Sequence, residues 1–326
     1  MKAFRLSPSN CSVYVEKTER AFSQRYYDKK RRWTSNGIDS SFATDPRYYY
    51  ARPLTRLSGS GHGSNLGNAT STSLSFLVDV LNEMRIDTMI DAPCGDVNWQ
   101  FGAWEVDTLR AYVGLDIVHN LIHLNEQRYR FHSNKVFGHW DVALCPLPRI
   151  QWLQEHEADP DGTRYKWEPP KPGTLVHMRD MLQHLRIGNG LRVMHHVMTY
   201  MTGAEPLWLL STTFPLEKTQ AGIKTKPGTI INRKIIDSNF FRIDLSQPPF
   251  SLPPPIRCVP THPQLEPDLT CLYRLDQLVR DSWVRKYQSS IAPASAAHLR
   301  SAPAQREVAV RSSSRAERPR EAEEAR

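Results

Sequence analysis

No apolar run in the 326 residues approaches the ~20 needed to cross a bilayer. The opening stretch, MKAFRLSPSNCSVYVEKTER, contains no apolar core of the kind a secretory leader carries, so a cytoplasmic protein is expected. Cysteine is scarce: five residues, at 11, 94, 145, 258 and 271, none in a CxxC pair and none at metal-ligand spacing. That excludes the common zinc frameworks, leaves no residue assigned to a metal, and predicts free thiols. Acidic residues are thin at the N-terminus, where positions 1–58 hold twelve Lys or Arg against five Asp or Glu. This segment carries +7 of the chain's net charge of +8, centred on YYDKKRRW, and the remainder is nearly neutral. Such an arm reads as solvated and partly disordered; attraction of nucleic acid or another acidic partner is the alternative. The 40% hydrophobic and 10% aromatic content of the whole chain belongs to a globular core.

Helices and strands are predicted in alternation from about residue 70. A Gly/Ser/Asn loop, GSGHGSNLGN, precedes a helix over 70–84, capped by Thr70 or Ser71 and striped by Leu74, Leu77, Val78, Leu81 and Met84. A strand at 87–91 follows, then a Pro-Cys-Gly turn and a short helix through Trp99 and Trp104. A strand over 110–118, a helix from HNLIHLNEQRYRF and a short strand ending near Val142 come next. Residues 146–173 are polar and proline-rich and read as an inserted surface loop. GTLVHMRD gives a strand, and 188–202 a helix striped by Leu191, Met194, His195, Met198 and Met201, with Gly203 as its C-cap. PLWLLSTTF is the continuous apolar strand of a sheet buried on both faces. FFRIDLSQPPFSLPPP reads as a strand entering a proline-rich loop and LTCLYRL as the last strand, an antiparallel edge. The fold class is α/β with a doubly wound, mostly parallel sheet. The expected organisation is a basic arm over 1–58, one domain over 59–288 and a disordered tail over 289–326.

The chemistry concentrates in TMIDAPCGDVNWQ, residues 88–100. A first strand that ends in a glycine turn is where doubly wound folds take nucleotide-like ligands. Asp116, at the end of the next strand and 25 residues after Asp91, is placed to accept from ribose hydroxyls. A pyrophosphate needs several glycines and a positive helix end, whereas this turn has Gly95 alone, with Asp96 beside the expected helix start. A cationic nucleoside suits these carboxylates, and S-adenosylmethionine, with its sulfonium and ammonium and no phosphate, is such a ligand.

IDAPCGDVNWQ with YVGLDIV, HWDV, VHMRDMLQHL, LLSTTFP and PPFSLPPP resembles a bacterial-type family of class I S-adenosylmethionine-dependent methyltransferases, over roughly 58–278. The resemblance implies a Rossmann-like methyltransferase fold and a cofactor site of Asp91, Ala92, Cys94, Gly95, Asp96, Trp99, Asp116, Ile117, Asp141 and Val142. Within it, Asp91 and Gly95 would line the methionine half, Asp116 the ribose, Ile117 the adenine, and Asp141 with Val142 the adenine amino group. Arg179 and Asp180 would face the methyl and its acceptor. The chain departs from the family pattern at Met178, where a Cys is usual, and at Ser211, where a Thr is.

Plainer roles stand beside these. Cys94 reads as a small turn residue and Trp99 equally as pocket wall or core. His184 is a general base if the acceptor is a hydroxyl, and otherwise a capping histidine. His195 and His196 have no ligand partners at metal spacing. The acceptor itself is expected to be a small molecule or a glycan-like hydroxyl. An RNA or protein methyltransferase using the basic arm, and a silent cofactor-binding module, are the alternatives.

Overall fold

The computed structural model describes residues 4–6, 64, 70–152, 173–200, 207–215, 242–261 and 268–299, the segments 4–6, 151–152 and 289–299 by their backbone only. The chain divides into two compact units, 1–287 and 288–326. In the first unit, strands β2 (Thr88–Asp91), β3 (Ala111–Asp116), β4 (Lys135–His139), β6 (Thr174–Met178), β7 (Leu207–Thr213), β8 (Arg257–Pro260) and β9 (Leu269–Leu275) form one sheet in the order β4-β3-β2-β6-β7-β9-β8. The five strands from β4 to β7 are parallel, and β9 and β8 add an antiparallel edge. β2, β3, β6 and β7 are buried at every position, which is why each reads as a nearly unbroken apolar run.

Helices cover both faces. Against one face, Phe76, Leu77, Val80 and Leu81 of α1 (Ser71–Glu83), Val106 of α2 (Trp104–Asp107) and Ile122 of α3 (His119–Arg128) pack on Met89, Tyr112, Leu175 and Leu210. Against the other, Val193, Met194, Val197 and Met198 of α4 (Ile187–Met198) pack on Ile90, Val113, Val176 and Leu209. Trp283 of α5 (Gln277–Leu299) joins this second layer. The sheet is doubly wound, as the alternation of elements predicts.

Several expectations are corrected. α1 buries Ser73, Phe76, Leu77, Val80 and Leu81, so its apolar stripe is turned away from Leu74, Val78 and Met84, which are half-buried. Thr70 holds its N-cap position without a side-chain cap hydrogen bond. The predicted helix through Trp99 and Trp104 is a 3-10 turn, Gln100–Gly102, then the single turn of α2 with Trp104 exposed. α4 ends at Met198, and Gly203 lies outside the described residues. Residues 242–245 are not a strand; the outer partner of β9 is Arg257–Pro260.

The insertion is not all surface loop. Leu147, Pro148 and Ile150 are buried, and β5 (Ile150–Trp152) pairs antiparallel with β1 (Phe4–Leu6). The N-terminal arm therefore begins with an ordered strand. α5 continues past Ser289 to Leu299 where a disordered tail is expected; the rest of the tail, and most of the arm, lie outside the described residues. The free-thiol expectation holds for Cys94 and fails for three other cysteines. Cys258 and Cys271, directly opposite on β8 and β9, are joined in a disulfide, and Cys145 is also disulfide-bonded. This removes the physical ground for a reducing compartment. No helix among the described residues is long and apolar enough to cross a membrane.

Candidate functional site

From β2 the chain winds to β3 and β4 on one side, and to β6 and β7 on the other. The reversal opens a crevice beyond the carboxyl ends of the central strands. Register brings the sequence-predicted residues together there: Asp91 lies opposite Gly114 on β3 and His177 on β6, and Asp116 opposite His139 on β4.

The turn after β2 is held from all sides. Gly95 (φ 58°) and the buried Val97 (φ 48°) both lie in the left-handed region, which is ordinary for glycine and strained for a β-branched residue. The Gly95 N–H donates to Asp116 Oδ2 at 3.0 Å, and its carbonyl accepts from Asn125 Nδ2 at 2.8 Å. The Cys94 N–H donates to the Leu115 carbonyl, and the Cys94 carbonyl accepts from Gln100 Nε2. Gly114 permits this closeness, since a Cβ there would lie 2.6 Å from Phe137 Cδ1 and 3.0 Å from Cys94 Sγ. No helix opens at Asp96, contrary to the strand-turn-helix expectation: residues 92–99 are successive turns. The turn thus offers no helix end, and its glycine amide is engaged. Both features disfavour a phosphate.

Asp91 has no exposed surface. Its Oδ2 accepts from Tyr112 Oη at 2.5 Å and Gln100 Nε2 at 2.9 Å, and its Oδ1 meets His177 Nδ1 at 2.7 Å. Burial and the Asp91 carboxylate push the Tyr112 phenol well above its ordinary range, so it stays a donor. The Asp91 carboxylate braces the turn from beneath, shut off from a ligand by its burial. Ala92, Cys94 and Trp99 are also buried; the surface left open at the turn comes from Pro93, Gly95 and Asp96. The Cys94 thiol is pushed well up, by burial first and then by Asp116 and Asp91, which keeps it protonated and suits a packing role.

Asp116 caps the tip of β3, its Oδ1 accepting from the Val118 N–H at 2.9 Å. Burial raises its pKa to about 6 against the pull of these backbone donors. The amides of Gly95, Val118 and Ile117 all reach this carboxylate, which leaves one of its four lone-pair directions for a further donor. Ile117 beside it is half-buried, with its carbonyl held by His139 Nε2 at 2.9 Å. Asp141, buried, accepts the Ala143 N–H at 2.9 Å, and the half-buried Val142 is fixed by its carbonyl to His196 Nδ1.

At the end of β6, the Arg179 guanidinium lies over the Trp99 ring at 5.1 Å from its centroid and 3.4 Å from Asp180 Oδ2. Asp180 takes a left-handed backbone (φ 54°) secured by Thr212, whose Oγ1 accepts the Asp180 N–H at 3.1 Å and lies 3.2 Å from Asp180 Oδ1. Gln183 Nε2 donates to the same carboxylate oxygen. His184 ends the 3-10 turn Leu182–His184 and is half-buried. Among the described residues, no group of three His, Cys, Asp or Glu is placed to hold a metal ion.

Sequence reasoning missed His177, Gln100, Tyr112 and Asn125. Tyr112 had a readable signal, because a phenol inside a fully apolar strand needs a buried acceptor. His177 lies 86 residues from Asp91, a separation that no local pattern spans.

No protein-family model matches the chain, and no curated protein matches it. Solved structures do. Phosphoethanolamine N-methyltransferase 1 of Haemonchus contortus, in complex with phosphoethanolamine and S-adenosylhomocysteine, is 14% identical with a TM-score of 0.43, over 90% of this chain and 57% of that one. The chain thus spans little more than half the length of that enzyme. Magnesium protoporphyrin IX methyltransferase of Synechocystis PCC 6803, with bound S-adenosylmethionine, is 11% identical with a TM-score of 0.41, over 82% and 98% of the two chains. N-methyltransferase NodS of Bradyrhizobium japonicum WM9, with S-adenosylhomocysteine, is 10% identical with a TM-score of 0.38, over 76% and 97%.

Proposed function

We propose that the chain is an S-adenosylmethionine-dependent methyltransferase acting on a small-molecule or glycan-like acceptor. The observation that carries this reading is the engaged turn. Gly95 gives its amide to Asp116, no helix begins beside it, and the carboxylates of Asp96, Asp116 and Asp141 stand around the crevice. That combination suits a cationic nucleoside and repels a phosphate.

Asp116, whose carboxylate keeps acceptor capacity beyond its backbone amides, would hold the ribose hydroxyls. Ile117 would cover one adenine face, and Asp141 with Val142 would meet its amino group. Pro93, Gly95 and Asp96 are the open residues for the methionine half, with Asp91, Ala92, Cys94 and Trp99 shaping the turn behind them. Bound there, S-adenosylmethionine supplies a methyl group already activated on sulfur. The protein then has to orient the acceptor and exclude water, an alignment effect worth several kcal/mol. Arg179 and Asp180, on the rigid end of β6, are the groups proposed to hold the acceptor. A hydroxyl acceptor also sheds a proton, and His184, four residues beyond Asp180, is the proposed receiver.

Purified protein incubated with methyl-labelled S-adenosylmethionine and fractionated cell extract tests the reading. Label in small molecules or glycans supports it. Label in RNA or protein would instead assign the chain to those acceptors and give the basic segment over 1–58 a recruiting role. Binding of cofactor without any label transfer would reduce the chain to a cofactor-binding module.

A further inference from the structure

We infer that His177 is a positioning residue for methyl transfer: clamped by Asp91, it fixes the Trp99 ring and, through that ring, the Arg179 guanidinium. The inference rests on the reading above, in which Arg179 serves the acceptor. His177 is 1% exposed and directly opposite Asp91 in the β2–β6 register, with its Nδ1 on Asp91 Oδ1 at 2.7 Å. Asp91 itself cannot swing, because Tyr112 and Gln100 hold its other oxygen. The His177 ring meets Trp99 edge-on, with centroids 5.6 Å apart and planes at 69°. The Arg179 guanidinium lies over Trp99 at 5.1 Å from the ring centroid.

A buried carboxylate needs donors, and a purely structural account of His177 would stop there. Two features go further. The pair sits on β2 and β6, buried at the carboxyl ends of the strands between which the winding of the sheet reverses. The imidazole packs in a T-shaped contact on an aromatic that Arg179 lies over, and Arg179 leads into Asp180, whose backbone is held by Thr212. The chain Asp91–His177–Trp99–Arg179 thus ties the cofactor turn to the acceptor side of the site.

His177→Asn separates the two roles. An amide nitrogen can replace the Nδ1–H toward Asp91, but it gives Trp99 no ring edge; His177→Gln serves if the Asn variant does not fold. Three readouts are needed: S-adenosylhomocysteine affinity by calorimetry, Trp99 emission taken as the difference between each protein and its Trp99→Phe counterpart, and the rate of label transfer. The expected result is S-adenosylhomocysteine affinity within about threefold of wild type, an altered Trp99 emission, and a turnover about 10- to 100-fold lower with KM for S-adenosylmethionine unchanged, the scale of a misplaced group. Added to Arg179→Lys, the change should cause no further loss, since both act on one element. Unchanged Trp99 emission overturns the inference whether or not an acceptor is in hand. A variant that loses S-adenosylhomocysteine binding also overturns it, placing His177 in the cofactor turn. Failure of the wild-type protein to bind S-adenosylhomocysteine is a different result, and it sinks the methyltransferase reading itself.

Discussion

Gly95 and Asp116, 21 residues apart, are joined by one hydrogen bond of 3.0 Å from the glycine amide to the carboxylate Oδ2. The bond fastens the turn after β2 to the tip of β3. It withdraws the amide a phosphate would use, and it fixes a buried carboxylate at the carboxyl end of β3.

Replacing Asp116 should therefore weaken cofactor more than it unsettles the fold around it. Asp116→Ala is expected to lower S-adenosylmethionine affinity by about 1–3 kcal/mol, the scale of lost hydrogen bonds to a charged group. Isothermal titration calorimetry on folded variant and wild type checks this.

The same carboxylate should act in opposite directions on stability and on binding as pH changes. Its folded pKa of about 6 lies above its ordinary 3.8, so the folded chain holds a proton that the unfolded chain has released. Its contribution to stability is therefore fully present below about pH 4 and falls as pH rises through about 6, by roughly 3 kcal/mol in all. Cofactor affinity should rise over that window, because the ionised form is the better acceptor for ribose hydroxyls. Denaturation and calorimetry of wild type and Asp116→Asn between pH 4.5 and 7.5 should show both trends in wild type, with the component due to position 116 absent from the variant. Parallel pH curves for the two proteins would be the contrary result.

Gly114→Ala should destabilise. The added Cβ would press on Phe137 at 2.6 Å and Cys94 at 3.0 Å, between a strand and a turn that cannot separate without breaking the Cys94–Leu115 and Gly95–Asp116 bonds. A loss of about 1–3 kcal/mol is expected from overpacking, measurable by urea denaturation. Cofactor affinity should fall with it.

The edge of the sheet should depend on its cross-link. Cys258 and Cys271 are separated by 13 residues, and opening a loop of that size typically costs about 3 kcal/mol. A Cys258→Ala/Cys271→Ala double variant should unfold at lower denaturant. Non-reducing peptide mapping of the wild-type protein should recover the two cysteines in one linked pair of peptides.

Removing residues 1–10 should lower the melting temperature by a few degrees. The deletion strips β1 from β5, whose Ile150 is buried in the main core, and about 1 kcal/mol moves the midpoint of a domain this size by roughly 2–4 °C. From sequence, a trimmed chain of about 55–288 is expected to keep its cofactor affinity; a scanning calorimetry trace of the short deletion that overlays the full-length one would show that β1 adds nothing to stability.

The alternation of strand and helix was readable because a strand buried on both faces must be apolar along its length, as LWLLSTT and AYVGLD are. Asp91, Gly95 and Asp116 were readable for a related reason: in a doubly wound sheet consecutive strands end side by side, so a spacing in the chain becomes a distance in the site. Other features depend on packing between segments that nothing local connects. The phase of α1 was set by the sheet it lies on, which takes Phe76 and Val80 inward and leaves Leu74 and Val78 at the flank. The pairing of Phe4–Leu6 with Ile150–Trp152 joins two short segments with no shared pattern. Cys258 and Cys271 became partners through the register of β8 on β9, and His177 met Asp91 because β6 was laid beside β2 across 86 residues. Periodicity reports how each segment meets water; which segment it then meets is fixed by the sheet order and register that bury them together.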